Sequence, residues 1–166
     1  LKFYEFGSCY HYDAEKVNAE KPLAAYSEEL HAGIWMCGNR NDISWTDAEK
    51  KVSFFDLKAY VLNGLTRLGI KAGTYTIESY QSDIYSQAIA CVTRGGKVLA
   101  HMGIVSKSLL KAFDIDTDVF YADILWPTVL KGLKNSKVTY QDIPKYPEVK
   151  RDLALLLDKT VTFQEV

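Results

Sequence analysis

Gln87-Ala-Ile-Ala-Cys-Val-Thr-Arg-Gly-Gly-Lys-Val-Leu-Ala-His-Met-Gly-Ile-Val105 decides the fold class. Two apolar runs flank a pair of glycines, which predicts a hairpin of strands 87–94 and 97–105. Both central positions of a type I′ turn need positive φ, and glycine adopts it without steric cost. Gly95-Gly96 therefore reads as a two-residue turn, with residues 94 and 97 facing each other and Cys91 opposite Ala100. A tight hairpin joins antiparallel neighbours, so the sheet around it is expected to be mostly antiparallel.

Working outward, residues 74–80 read as another strand. Residues 53–68 are the clearest helix. Ser53 can cap it, with Asp56 in the capping-box position. Phe54, Leu57, Val61, Leu65 and Leu68 fall on one stripe at helical spacing, and Gly69 sits where a left-handed C-cap is expected. After the hairpin come a short helix at 106–113 and an alternating strand at 119–126. Pro127 then opens a further helix at its favoured first position. At the N-terminus, residues 1–12 read as an aromatic-rich strand and 13–29 as a polar surface loop. Residues 30–38 read as a second strand antiparallel to the first, and 39–51 as a polar connection containing Trp45. The pattern predicts an α+β fold, a mostly antiparallel sheet with flanking helices.

From about Gln141 the character changes. Pro144 and Pro147 mark a linker, and Arg151-Asp-Leu-Ala-Leu-Leu-Leu-Asp158 reads as a new apolar strand, so a domain boundary is placed near Ile143. A strand without the rest of its sheet tends to pair with something, so this tail is expected to be mobile or docked on a neighbouring chain. The chain begins inside a strand without a Met and ends just after another, and is read as a piece of a longer protein.

Bulk composition narrows the function classes. Of the 166 residues, 48% are hydrophobic and 25% charged, which is ordinary globular usage and argues against disorder. A net charge of −1 provides no basic field that would announce nucleic-acid binding. No apolar run approaches the roughly 20 residues of a membrane helix. Three cysteines without a CxxC pair argue against a disulfide framework and for a reducing, cytoplasmic setting.

Four kinds of chemistry are weighed against plain structural roles. Cys91 and His101 could make a nucleophile–base pair, but in the predicted hairpin they point to opposite sides of the sheet. Cys9, His11, His31 and Cys37 lie on two strands and could in principle surround zinc; their spacing is not that of a finger or ribbon, and they are read as sheet residues. Arg94-Gly-Gly-Lys97 is basic and glycine-rich, but lies at a hairpin tip rather than a helix N-terminus, so it is read as a solvated turn. The 11 Tyr and 7 Phe could stack on RNA bases, but at strand spacing they are read as core or interface. No residue is assigned a catalytic, cofactor-binding or metal-binding role.

Five stretches in order resemble one family. Lys2-Phe-Tyr-Glu-Phe-Gly7 and His31-Ala-Gly-Ile-Trp-Met-Cys-Gly-Asn39 are similar to two strands of the bacterial phenylalanyl-tRNA synthetase beta chain. Val52-Ser-Phe-Phe-Asp-Leu-Lys58 resembles a helix start of that chain, and Gly96-Lys-Val-Leu-Ala-His-Met-Gly-Ile-Val105 its hairpin. Tyr146-Pro-Glu-Val-Lys-Arg-Asp-Leu-Ala154 resembles the opening of its ferredoxin-fold anticodon-binding domain.

The resemblance implies that residues 1–143 are part of the C-terminal catalytic-like module, with a class II synthetase fold but no activity. Residues 144–166 would be the truncated first strand of the anticodon-binding domain. The whole enzyme would be an (αβ)2 heterotetramer that charges tRNA(Phe) with phenylalanine using ATP and Mg2+. This module would be a scaffold against the alpha chain, and would self-associate when alone. Class II active sites hold the triphosphate with arginines, since guanidinium pairs bidentately with phosphate. Arg40, Arg67, Arg94 and Arg151 stand in neither of the expected motif settings. Ser82-Asp83-Ile84-Tyr85 and His101-Met102-Gly103 depart from the family pattern. The alternatives are a fragment with its own nucleotide or amino-acid site, and a stand-alone RNA-binding module.

Overall fold

A computed structural model describes residues 1–18, 20–42, 44–46, 48–134, 140 and 142–162. Six strands form one sheet: β1 (Lys2–Tyr12), β2 (Tyr26–Cys37), β3 (Tyr75–Tyr80), β4 (Tyr85–Thr93), β5 (Val98–Val105) and β6 (Val119–Leu125). Their spatial order is β1-β2-β6-β5-β4-β3, and every adjacent pair is antiparallel. The helices are α1 (Phe54–Leu68), α2 (Lys107–Ala112) and α3 (Trp126–Leu133), the last with Pro127 in its first turn. The expected α+β class is borne out.

One face of the sheet carries the core. Leu57, Val61 and Leu65 of α1 and Val129 of α3 pack on Met36, Cys91, Ala100, Met102 and Ala122. Burial of such aliphatic side chains is worth roughly 1.5–3 kcal/mol each. The i, i+4, i+8 spacing of the α1 residues puts them on one stripe. Leu68, read from the sequence as part of that stripe, is 41% exposed and lines an open apolar groove beside the buried residues. The start of α1 is fixed by Asp56, whose carboxylate accepts the Ser53 backbone N–H at 2.9 Å and the Ser53 hydroxyl at 2.7 Å. These bonds, with Arg40 Nε 3.2 Å away, hold the Asp56 carboxyl below its ordinary range. Gly69 closes the helix in the left-handed region, at φ 106°.

Three expectations need correction. First, the hairpin turn has three residues, not two. Gly96 N–H donates to Thr93 O at 2.9 Å, Thr93 N–H donates to Lys97 O at 2.8 Å, and of the two glycines Gly96 alone has positive φ. This is the arrangement of a type I turn followed by a left-handed glycine. Thr93 Oγ1 favours it by accepting the Lys97 N–H at 3.1 Å. A register shift between Cys91 and Val92 then restores Cys91 opposite Ala100. Second, β2 starts at Tyr26 rather than residue 30, because β1 pairs with it as far as Tyr12 opposite Tyr26. Residues 26–29, the last part of the stretch that read as loop, are the outer part of an edge hairpin. Third, residues 151–158 form no strand. Among the described residues no strand lies beside them, and Leu153, Leu155, Leu156 and Leu157 are exposed. A strand gains its stability from ladder partners, which apolar composition alone does not provide.

Candidate functional site: the open face of the sheet

Because side chains alternate along a strand, the residues next to the core positions form a second face, opposite the one on which α1 and α3 pack among the described residues. Register places Trp35 beside Tyr121, Gly33 beside Asp123, and His101 beside both Asp123 and Ala90. Phe3, Glu5, Gly7, Cys9 and His11 continue the same face along β1, and Glu78 and Tyr80 along β3.

Aromatic rings fill the middle of this face. Trp35 stacks on Tyr121 with centroids 4.8 Å apart, Tyr121 stacks on Tyr85 at 6.0 Å, and Tyr80 lies flat on His101 at 3.9 Å. Glycine makes this possible at two positions. A Cβ on Gly33 would collide with the Trp35 ring, and one on Gly103 would collide with the Gln87 carbonyl and the Tyr85 ring. The space that these two glycines open in the middle of the face is thus occupied by the chain's own side chains. Burial raises the phenol of Tyr121 to about 12 and moves that of Tyr85 in the same direction, so both stay neutral at physiological pH. Burial also pulls His101 below its ordinary value, with Asp123 opposing the shift.

The charged groups on this face are acidic or imidazole. Among the described residues its strands project no Lys or Arg onto it. Arg40 pairs with Asp56 at the start of α1, and Arg94 donates to the Gly73 carbonyl at 3.1 Å at the hairpin end. Arg67 lines an apolar groove on the helix side, and Arg151 lies in the exposed tail. A triphosphate laid here would meet Glu5, Asp123 and Glu78 without a compensating cation.

The residues weighed from sequence separate clearly. Cys91 is buried on the helix side, where desolvation raises its thiol to about 11, while His101 lies on the open face. No nucleophile–base pair exists between them. Cys37 is the last residue of β2, opposite Val119 and far along the strand from His31. His11 and His31 do come together, with Glu29 as a third member, and their ligand atoms all lie within 4.8 Å of one another. His31 Nδ1 bonds Asp123 Oδ1 at 2.7 Å. Sequence reasoning missed Glu29 because β2 was started too late; a strand carried back to Tyr26 puts residues 29 and 31 on one face. It missed Asp123 because that contact spans 92 residues.

Residues 1–126 match the family model described as the phenylalanyl tRNA synthetase beta chain CLM domain. The chain belongs to the phenylalanyl-tRNA synthetase beta chain family. It is 51% identical over its full length to the phenylalanine–tRNA ligase beta subunit of Bacteroides fragilis, and 49% identical to that of Bacteroides thetaiotaomicron. The Bacillus licheniformis beta subunit is 32% identical over 96% of the chain. The chain spans about a fifth of the length of the curated relatives it matches. A solved structure of pyrrolysyl-tRNA synthetase from Desulfitobacterium hafniense covers 82% of the chain and 42% of its own, at TM-score 0.48 and 13% identity. No helix among the described residues is long and apolar enough to cross a membrane.

Proposed function

We propose that this chain is a catalytic-like module of class II synthetase type with no chemistry of its own, a scaffold within phenylalanine–tRNA ligase. The observation that carries this is the open face: filled at its middle by its own rings, acidic, and among the described residues without an arginine or lysine. Transfer of an adenylyl group needs cations to neutralise the pyrophosphate that develops, and this face supplies none. As the family resemblance implies, ATP and Mg2+ belong to the alpha chain's site in a whole (αβ)2 assembly that charges tRNA(Phe) in the cytoplasm. Residues 144–166 begin the anticodon-binding domain.

The contact surface for the alpha chain is the β1 side of the sheet. β1 is an edge strand with Phe3, Tyr4, Phe6, Tyr10 and Tyr12 all exposed. Beside it an apolar groove of about 340 Å³ runs between the sheet and α1, lined by Tyr4, Phe6, Ile34, Tyr60, Leu68 and Trp126. Unpaired ladder groups beside aromatic side chains suit a permanent interface, which commonly buries more than about 2,000 Å².

Co-purification with the matching alpha chain tests the scaffold role, and Tyr4→Glu with Phe6→Glu should abolish it. Alone, the chain should self-associate by light scattering. Calorimetry with ATP or phenylalanine should give no binding; micromolar affinity for either would replace this reading with that of a ligand-binding fragment.

A further inference from the structure

We propose that His11, Glu29 and His31 form a binding site for a divalent transition-metal ion of the zinc type, with Asp123 as the residue that positions His31. The inference rests on the open-face geometry alone and is independent of the scaffold role.

The donor set is two imidazoles and one carboxylate, which suits zinc and its neighbours in the first transition row. The three ligand atoms lie within 4.8 Å of one another. Glu29 Oε2 is 3.8 Å from His31 Nε2. That is too long for a hydrogen bond. It is close to the separation of two ligands on one tetrahedral ion, about 3.3–3.4 Å for bonds of roughly 2.0–2.1 Å. A small inward movement of Glu29, whose side chain is 55% exposed, closes the difference.

His31 gives the strongest sign. Its side chain is 16% exposed, and Nε2 is a buried nitrogen with no hydrogen-bond partner. An unmatched buried polar atom is costly, and native proteins rarely leave one. The other ring nitrogen is committed: Nδ1–H donates to Asp123 at 2.7 Å. That bond fixes the tautomer that leaves a lone pair on Nε2, aimed towards Glu29 and His11. A carboxylate behind a histidine is the common supporting arrangement for a metal ligand. Room is available as well, since Gly7 lies opposite His31 on β1 and a Cβ there would meet nothing within 4 Å. Three protein ligands leave a fourth position for water. Cys9, opposite Glu29 in the ladder, is not one of the three.

The test uses the full chain, purified without a histidine tag and stripped with a chelator, titrated with Zn2+ alone by calorimetry and with Co2+ by visible absorption. The expected result is one equivalent bound with a Kd of about 10 μM or tighter, and with Co2+ the ligand-field bands of a four- or five-coordinate site. His11→Ala and Glu29→Gln, both at exposed positions outside the core, should each weaken binding at least tenfold. Cys9→Ser should leave it unchanged. Asp123→Asn should weaken it about 10–100-fold while keeping the stoichiometry at one. No binding up to 100 μM Zn2+, binding that survives unchanged in both His11→Ala and Glu29→Gln, or binding lost in Cys9→Ser would each overturn the assignment.

Discussion

The two faces of the sheet are made by the same strands and do opposite work. The helix side is aliphatic, with Leu57, Val61, Leu65 and Val129 pressed on Met36, Ala100 and Met102. The open side is aromatic, acidic and imidazole-bearing, and covers itself with Trp35, Tyr85 and Tyr121 instead of a helix. Stability against global unfolding therefore resides on the first face. The second is free to lose any ligand-binding capacity without endangering the fold. A sheet that bound a nucleotide would need its open face empty and cationic, and here it is neither.

The largest effect should come from the helix side. Leu57→Ala removes a fully buried side chain at the centre of the α1 stripe, and chemical denaturation should show a loss of about 2–5 kcal/mol. A cost below about 1 kcal/mol would mean that the open face carries more of the stability than the comparison allows. Next, Gly103→Ala should cost about 1–3 kcal/mol. Its new Cβ meets the Gln87 backbone, which cannot swing aside, and the Tyr85 ring. Near-UV circular dichroism should report a shift in the tyrosine stack; an unchanged spectrum with full stability would show that the open face is loosely filled.

Asp56→Ala comes third. It removes the acceptor of two Ser53 bonds at the first turn of α1, and should lower stability by about 1 kcal/mol, read by thermal melting. Because the Asp56 carboxyl is held low, its contribution is present above the ordinary carboxylate pKa and disappears as pH falls through the lowered value.

The smallest effect belongs to His101. Burial favours its neutral form, so the unfolded chain takes up the proton more readily than the folded one. The stabilisation is full above the ordinary value of 6.5 and is lost as pH drops through the lowered folded value. Urea melts between about pH 7 and 5 should show stability falling on acidification, and His101→Gln should flatten that slope. An identical slope in the variant would place the acid sensitivity elsewhere on the face.

Local signals carried most of the architecture. The α1 stripe with its Ser53–Asp56 cap depends on spacing within a few residues, which periodicity reports directly. The hairpin was found for the same reason, although its turn chemistry was not. Gly95-Gly96 offered two residues able to take positive φ, and the Thr93 hydroxyl selected the longer loop. The tail failed in the opposite way: Leu153 to Leu157 have strand composition, but composition provides no partner.

By itself the sequence determined the α+β class, the order of the elements, the family and the separation of Cys91 from His101, because each follows from neighbours in the chain or from matching motifs. The tertiary structure decided which residues meet on the open face. The bond from His31 to Asp123, the convergence of His11 with Glu29, and the seating of Trp35 over Gly33 and Tyr85 over Gly103 arise when strands distant in sequence are brought into register. The strand order β1-β2-β6-β5-β4-β3 sets that register, through packing of both α1 and α3 on one side, which no local pattern encodes.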